Sequence, residues 1–126
     1  MYDITGVWVT TSALLNGVEQ LAGTTDLTYI WDNGELGSEQ IVSGTLVSYS
    51  LGSATLVAGD PNILTWSGNF YPEPSSTVGI PMTLDVSIDK LTNANNMTWR
   101  DVNYPNTGDT YVKTLVKSST ISLSDW

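Results

Sequence analysis

Cysteine and histidine are both absent from the 126 residues, and together the two absences remove most familiar catalytic chemistry. Without cysteine there is no disulfide, no thiolate metal site and no thiol nucleophile, and the redox compartment stays open by this route. Without histidine the commonest general base near neutral pH and the commonest transition-metal ligand are missing, so triads of the usual kind and zinc or copper centres lose their main component. Acid–base work would fall to Asp, Glu, Lys or Tyr. The chain is therefore read as a non-enzyme with no cofactor and no metal.

Positive charge is nearly as scarce. Lys90, Arg100, Lys113 and Lys117 are the only cations against 13 acidic residues, for a net charge of −9. Binding a phosphate backbone needs several Lys or Arg at neighbouring phosphates, so no nucleic-acid partner is expected. Anionic membrane surfaces are disfavoured for the same reason. Long apolar runs are lacking too: none approaches the roughly 20 residues a bilayer span requires, and no transmembrane segment is expected. Met1 is followed at once by a strand-like stretch, which does not read as a signal peptide. The expectation is a cytosolic protein or one whose leader has been removed.

Helical periodicity is also missing, since no long window keeps apolar residues at i, i+3, i+4 and i+7 without Gly or β-branched interruptions. What is present is strand-like. Five Trp and six Tyr concentrate large apolar area in few positions, and Ser, Thr, Asn and Gly make up most of the polar remainder, a composition common in secreted β proteins. Alternating segments are expected at 4–14, 26–33, 39–50, 53–58, 62–71, 81–89, 95–103 and 109–118, which makes eight. Turn chemistry separates them at Asn16-Gly17, Asp32-Asn33-Gly34, Leu51-Gly52-Ser53, Gly59-Asp60-Pro61-Asn62 and Asn106-Thr107-Gly108-Asp109. Pro72-Glu73-Pro74-Ser75-Ser76 is the longest irregular connection. One domain is expected over 1–118, with a Ser-rich tail at 119–126 that is either disordered or lays Ile121, Leu123 and Trp126 on the barrel or on a neighbouring subunit.

Alternation assigns faces. Met82, Leu84, Val86 and Ile88 point one way, with Thr83, Asp85, Ser87 and Asp89 the other. Leu27, Tyr29 and Trp31 oppose Thr28, Ile30 and Asp32. Met97, Trp99 and Asp101 share a face, so one polar residue enters whichever side is inside. Ile41, Ser43, Thr45, Val47 and Tyr49 read as one face with hydroxyls in its middle, which a barrel with a cavity tolerates better than a solid sandwich core. The fold class expected is all-β, an eight-stranded antiparallel up-and-down barrel.

Gly6-Val7-Trp8 at the head of these strands resembles the opening G-x-W of the calycin superfamily, most closely the compact bacterial lipocalin-like domains. Asn16-Gly17 and the run from Leu84-Asp85-Val86-Ser87-Ile88-Asp89-Lys90-Leu91-Thr92 to Thr110-Tyr111-Val112-Lys113-Thr114-Leu115-Val116-Lys117 extend the resemblance over residues 4–118. It implies a barrel with a structural closed end and an open end that admits a small, largely apolar molecule. It also implies a place at the bacterial cell envelope or outside the cell, with any anchoring Cys upstream; a cytoplasmic location stays open. Gly6 permits close backbone approach and Trp8 plugs the narrow end. In the family a cation from the last strand, usually an arginine, covers this Trp; here Lys117 is the best placed and Arg100 the second.

Tyr29, Trp31, Trp66 and Trp99 sit centrally in expected strands and are the candidates for lining a cavity, with ordinary core packing as the plainer alternative. Arg100, the only arginine, is the candidate to hold a carboxylate head group, against a simple salt bridge. Phe70, Tyr71 and Tyr104-Pro105 stand at a rim or anchor loops. Asp85, Asp89, Asp101 and Asp109 admit a glycosidase-like carboxylate pair but read better as solvated charges. Turn formation accounts for Asp60-Pro61-Asn62 and Asp32-Asn33-Gly34-Glu35, which lack the spacing of a calcium loop. Asn96-Met97-Thr98 matches a glycosylation pattern but falls within a strand. Three functions compete: binding of a small hydrophobic molecule by a monomer or dimer, a filled barrel serving as a structural or protein-interaction module, and a carbohydrate-binding sandwich with Trp66, Tyr71 or Tyr104 as stacking platforms.

Overall fold

Period-two alternation puts nearly the whole chain into antiparallel strands, and the ends of the sheet meet. The computed structural model describes residues 4–57, 62–93, 95–102 and 107–126. Its strands are β1 (Gly6–Leu15), β2 (Val18–Glu19), β3 (Thr24–Ile30), β4 (Glu35–Val42), β5 (Thr45–Val57), β6 (Asn62–Tyr71), β7 (Ile80–Asn93), β8 (Asn96–Val102) and β9 (Thr110–Lys117), followed by a 3-10 turn over Leu123–Asp125. Each long strand pairs with the next, and β1 also pairs with β9 from Trp8↔Lys117 to Leu15↔Tyr111. The result is a closed up-and-down barrel of eight strands, with the two-residue β2 folded onto the end of β1. Closure leaves no long unpaired edge.

The count of eight survives although two boundaries do not. Residues 39–50 are not one strand: a hairpin turn at Ser43 (φ 51) and Gly44 (φ 78) divides β4 from β5. Leu51-Gly52-Ser53 is not a turn but the middle of β5, which continues to Val57. Gly52 serves packing there. It lies opposite Gly68 of β6, and a Cβ on Gly52 would fall 2.6 Å from Gly68 Cα. Asn16 (φ 50) and Gly17 (φ 84) do form the expected two-residue turn. The turns read at Gly59-Asp60-Pro61 and at Asn106, and the Tyr104-Pro105 pair, lie outside the described residues.

Trp8 is fully buried at one end of the barrel, among Ile4, Ile30, Ile88, Met97 and Leu115, and its indole N–H donates to the Ile4 carbonyl at 2.8 Å. The Lys117 ammonium stands 5.9 Å from the indole centre, a cation–π distance. Gly6 makes this possible. With φ of 137° it takes a backbone shape closed to most side chains, and a Cβ there would lie 2.6 Å from Lys117 Cε. A Thr10/Ser12 bulge in β1 then resets the phase so that Ala13 as well as Trp8 and Thr10 is buried.

Strand β3 corrects the assignment of faces. Asp26, Thr28 and Ile30 point inward, whereas Leu27, Tyr29 and Trp31 lie on the outer surface. That outer face is not left to water. Ile121 and Leu123 pack on the cluster of Val7, Leu27 and Tyr29, and the Trp126 ring meets Tyr29, Trp31 and Tyr49 edge-on at 5.0, 5.4 and 6.3 Å. Gly37 supplies the seat: a Cβ there would lie 2.7 Å from Trp126 Cη2. The segment after β9 is thus a strap over an external apolar patch, and it docks on its own barrel.

Trp126→Ala is expected to cost about 2 kcal/mol through lost ring contacts, as measured by urea unfolding. Val78→Ala, at a side chain that is 83% exposed, is expected to change stability by less than about 0.5 kcal/mol.

Candidate functional site

Inside the barrel, beyond the Trp8 end, lies a cavity of about 540 Å³ with two unlike walls. Its apolar wall comes from β6, β7 and β8, whose inward positions carry Trp66, Phe70, Met82, Leu84, Val86 and Trp99. Its polar wall comes from the strands on the other side: Asp26 on β3, Ser38 and Gln40 on β4, Ser48 and Ser50 on β5, Tyr111 and Lys113 on β9. Asp101 stands on β8, beside the seam between the two. Gln20, Leu21 and Thr24 line the cavity at the end where β2 folds over, and Gln20 is exposed, which marks that end as the mouth.

The polar wall is a connected network. Asp26, 5% exposed, accepts from Thr10 Oγ1 at 2.7 Å and from the Lys113 ammonium at 2.8 Å on one oxygen, and from Gln40 Nε2 at 2.7 Å on the other. Gln40 accepts in turn from Ser48 Oγ at 2.9 Å, and the Ser38 and Ser50 hydroxyls bond each other at 2.7 Å. Burial alone would raise the Asp26 carboxyl. The Lys113 charge and the hydrogen bonds from Lys113, Thr10 and Gln40 outweigh it and hold the group below its ordinary range.

Asp101 has the opposite balance. It is 9% exposed, and burial, reinforced by the negative charge of Asp85, pushes its carboxyl up to about 6 against the opposing pull of Lys113. Among the described residues, no side-chain hydrogen bond to its carboxylate opposes this. Trp66 is held by donation from its indole N–H to the Leu36 carbonyl at 2.9 Å. Below the main cavity a smaller void of about 90 Å³ is lined by Thr28 and Trp99 among others. Thr28 Oγ1 and Trp99 Nε1 are buried there without a hydrogen-bond partner, a cost that a polar group reaching them would relieve.

The five candidates from the sequence divide. Trp66 and Trp99 line the cavity. Tyr29 and Trp31 do not, because β3 turns its hydroxyl and carboxylate face inward and its aromatic face toward the strap; burial and a hydrogen bond to Glu39 raise the Tyr29 phenol on that outer side. Arg100, between the inward Trp99 and Asp101, falls on the outer face by alternation and cannot hold a head group inside. Phe70 lines the cavity, while Tyr71 stacks on Tyr49 outside at 4.6 Å. Trp66 is 4% exposed within a closed barrel, which removes both the sandwich and that residue as a carbohydrate platform; Tyr104 lies outside the described residues.

Asp85 faces outward and accepts from Thr65 Oγ1 at 2.9 Å, on the other side of the wall from Asp101, so these two do not flank a common bond. Among the described residues no group of three or more acidic side chains is placed to hold a metal, and no helix is long and apolar enough to cross a membrane. Sequence reading missed Asp26, Gln40 and Lys113. The available signal was phase: Lys113 shares its face with Leu115 and Lys117, and Gln40 shares its face with Leu36.

Lys113→Met is expected to destabilise the fold by about 3 kcal/mol near pH 8, because Asp26 is left buried and unpaired. In the wild type, Asp26 contributes stability above the ordinary carboxylate range that is lost on acidification. In the variant burial dominates, so the deficit shrinks as pH falls and Asp26 becomes neutral. Asp101 works in the other direction, since a raised carboxyl pKa means stability present at low pH and lost as pH rises. Asp101→Asn is therefore expected to match wild type below 3.8 and to exceed it increasingly up to about pH 6, with a constant gain above. Urea unfolding of the three proteins across this range checks both.

No protein-family model, curated protein or solved structure matches the chain.

Proposed function

We propose that the protein is a non-enzymatic, lipocalin-like barrel that holds a small hydrophobic or amphipathic molecule in its interior. The observation that carries this is the cavity of about 540 Å³ walled on one side by aromatic and aliphatic groups and on the other by a hydrogen-bonded polar network. Ligand sites commonly occupy this range of volume, with mostly apolar lining and a few polar groups that set orientation. A filled structural barrel would have spent the same interior on packing. Support for the lipocalin-like reading comes from Gly6 and Trp8, with Lys117 laid over the indole as the cation of that arrangement. The charge-poor, hydroxyl-rich composition supports a setting at the cell envelope or outside the cell.

Affinity would come from apolar burial against Trp66, Phe70, Met82 and Leu84, at about 25 cal/mol per Å² removed from water. The polar wall would orient the molecule more than hold it, because most of its donors and acceptors already bond each other. A neutral naphthylamine dye that brightens in apolar surroundings is expected to bind saturably, one per chain, and to quench tryptophan emission through Trp66 and Trp99. Leu84→Trp, which fills the cavity from the apolar wall, is expected to weaken that binding about tenfold or more while leaving thermal unfolding cooperative. No saturable signal from the wild-type protein overturns the reading.

A further inference from the structure

We infer that the cavity selects an organic cation, an amphipathic amine or quaternary ammonium whose apolar body lies along Trp66 and Leu84 and whose charge meets the Asp101 carboxylate. This rests on the barrel being a binding site, and adds the chemical class of what it binds.

Among the described residues, three charged side chains line the cavity: Asp26, Asp101 and Lys113. Lys113 is already committed, its ammonium 2.8 Å from Asp26. Both Asp26 oxygens are taken, one by Thr10 and Lys113 and the other by Gln40. What remains for a guest is Asp101. Its register partners across β7 and β9 are Val86 and Tyr111, neither of which brings a positive charge. Asp85 lies on the outer side of the same wall and adds negative charge, while Lys113 opposes it from β9.

A carboxylate so enclosed has two ways to relieve its desolvation: it takes a proton, or it takes a cation. A guest cation supplies the second. Trp99, two residues before Asp101 on the same face, and Trp66 line the same cavity, and indole rings attract positive charge and not negative. A guest carboxylate meets a cavity whose described ionised side chains sum to −1, with Lys113 occupied by Asp26 and Arg100 on the outer face. The chain's net charge of −9 draws cations toward the mouth and repels anions.

Calorimetric titration of the full chain at pH 8 with decyltrimethylammonium, decanol and decanoate tests this, the three probes sharing one apolar tail. The cation is expected to bind on the order of tenfold more tightly than the alcohol, and the carboxylate more weakly than either. Asp101→Asn is expected to bring the cation down to the affinity of the alcohol and to leave the alcohol unchanged. Because the quaternary probe does not titrate, its affinity for the wild-type protein is expected to fall as pH drops through about 6, where Asp101 takes up a proton; this second measurement needs no variant. Equal binding of cation and alcohol, tighter binding of decanoate, or a cation preference untouched by both Asp101→Asn and acid overturns the inference while the cavity stands as a binding site. Failure of all three probes to bind overturns the binding site itself.

Discussion

The pairing of β1 with β9 is the constraint on which the rest depends. Until these strands meet, the chain is an open curled sheet with wet faces on both sides; once they do, it has an inside. The same pairing sets Trp8 opposite Lys117 and Ala13 opposite Lys113, so one register places a cation over the closed end and another in the cavity wall. Asn16 secures the far end of the seam, its side chain accepting from the Thr110 amide at 2.9 Å and donating to Asp109 at 3.0 Å. Bringing residues about a hundred positions apart into register is entropically costly, and the buried Trp8 cluster is the main apolar return on it.

The interior is divided by strand and not by depth alone. Strands β6 and β7 turn large apolar groups inward, as a packed core would. Strands β3 to β5 turn serines, a glutamine and an aspartate inward, and these are stable there because they bond one another. Lys113 completes that network with a positive charge, and Asp101 stands apart from the pair. Burial and the charge of Asp85 make the ionisation of this carboxylate work against folding.

The outer surface obeys a complementary logic. Leu27, Tyr29 and Trp31 would be an apolar liability on a bare barrel, and the strap from Ser118 onward converts them into a second small core. Ser118 anchors the strap: its amide donates to the Val7 carbonyl at 2.8 Å, and its hydroxyl accepts from the Ile121 amide at 2.9 Å. Trp126 then closes over Gly37, where a side chain would meet its ring.

Residues with local chemistry were legible from the chain alone. Alternation and turn residues specified antiparallel strands and their number, and the shared phase of Met97, Trp99 and Asp101 announced a polar intruder on an inner face. Strand boundaries near Ser43 and Gly52 were not legible, because a glycine in a turn and a glycine at a close backbone approach look the same until the neighbouring strand is known. Nor was the inside of β3, since apolar alternation shows which residues share a face but not whether the barrel or an overlying segment covers it. The sequence by itself determined the sheet and its antiparallel order, both consequences of contacts within a strand or between adjacent strands. Only the tertiary structure decided which faces enclose the cavity, that Lys113 belongs to Asp26 and that Asp101 joins the same cavity wall, because those arrangements join residues that are distant in the chain and become neighbours only when the ring closes.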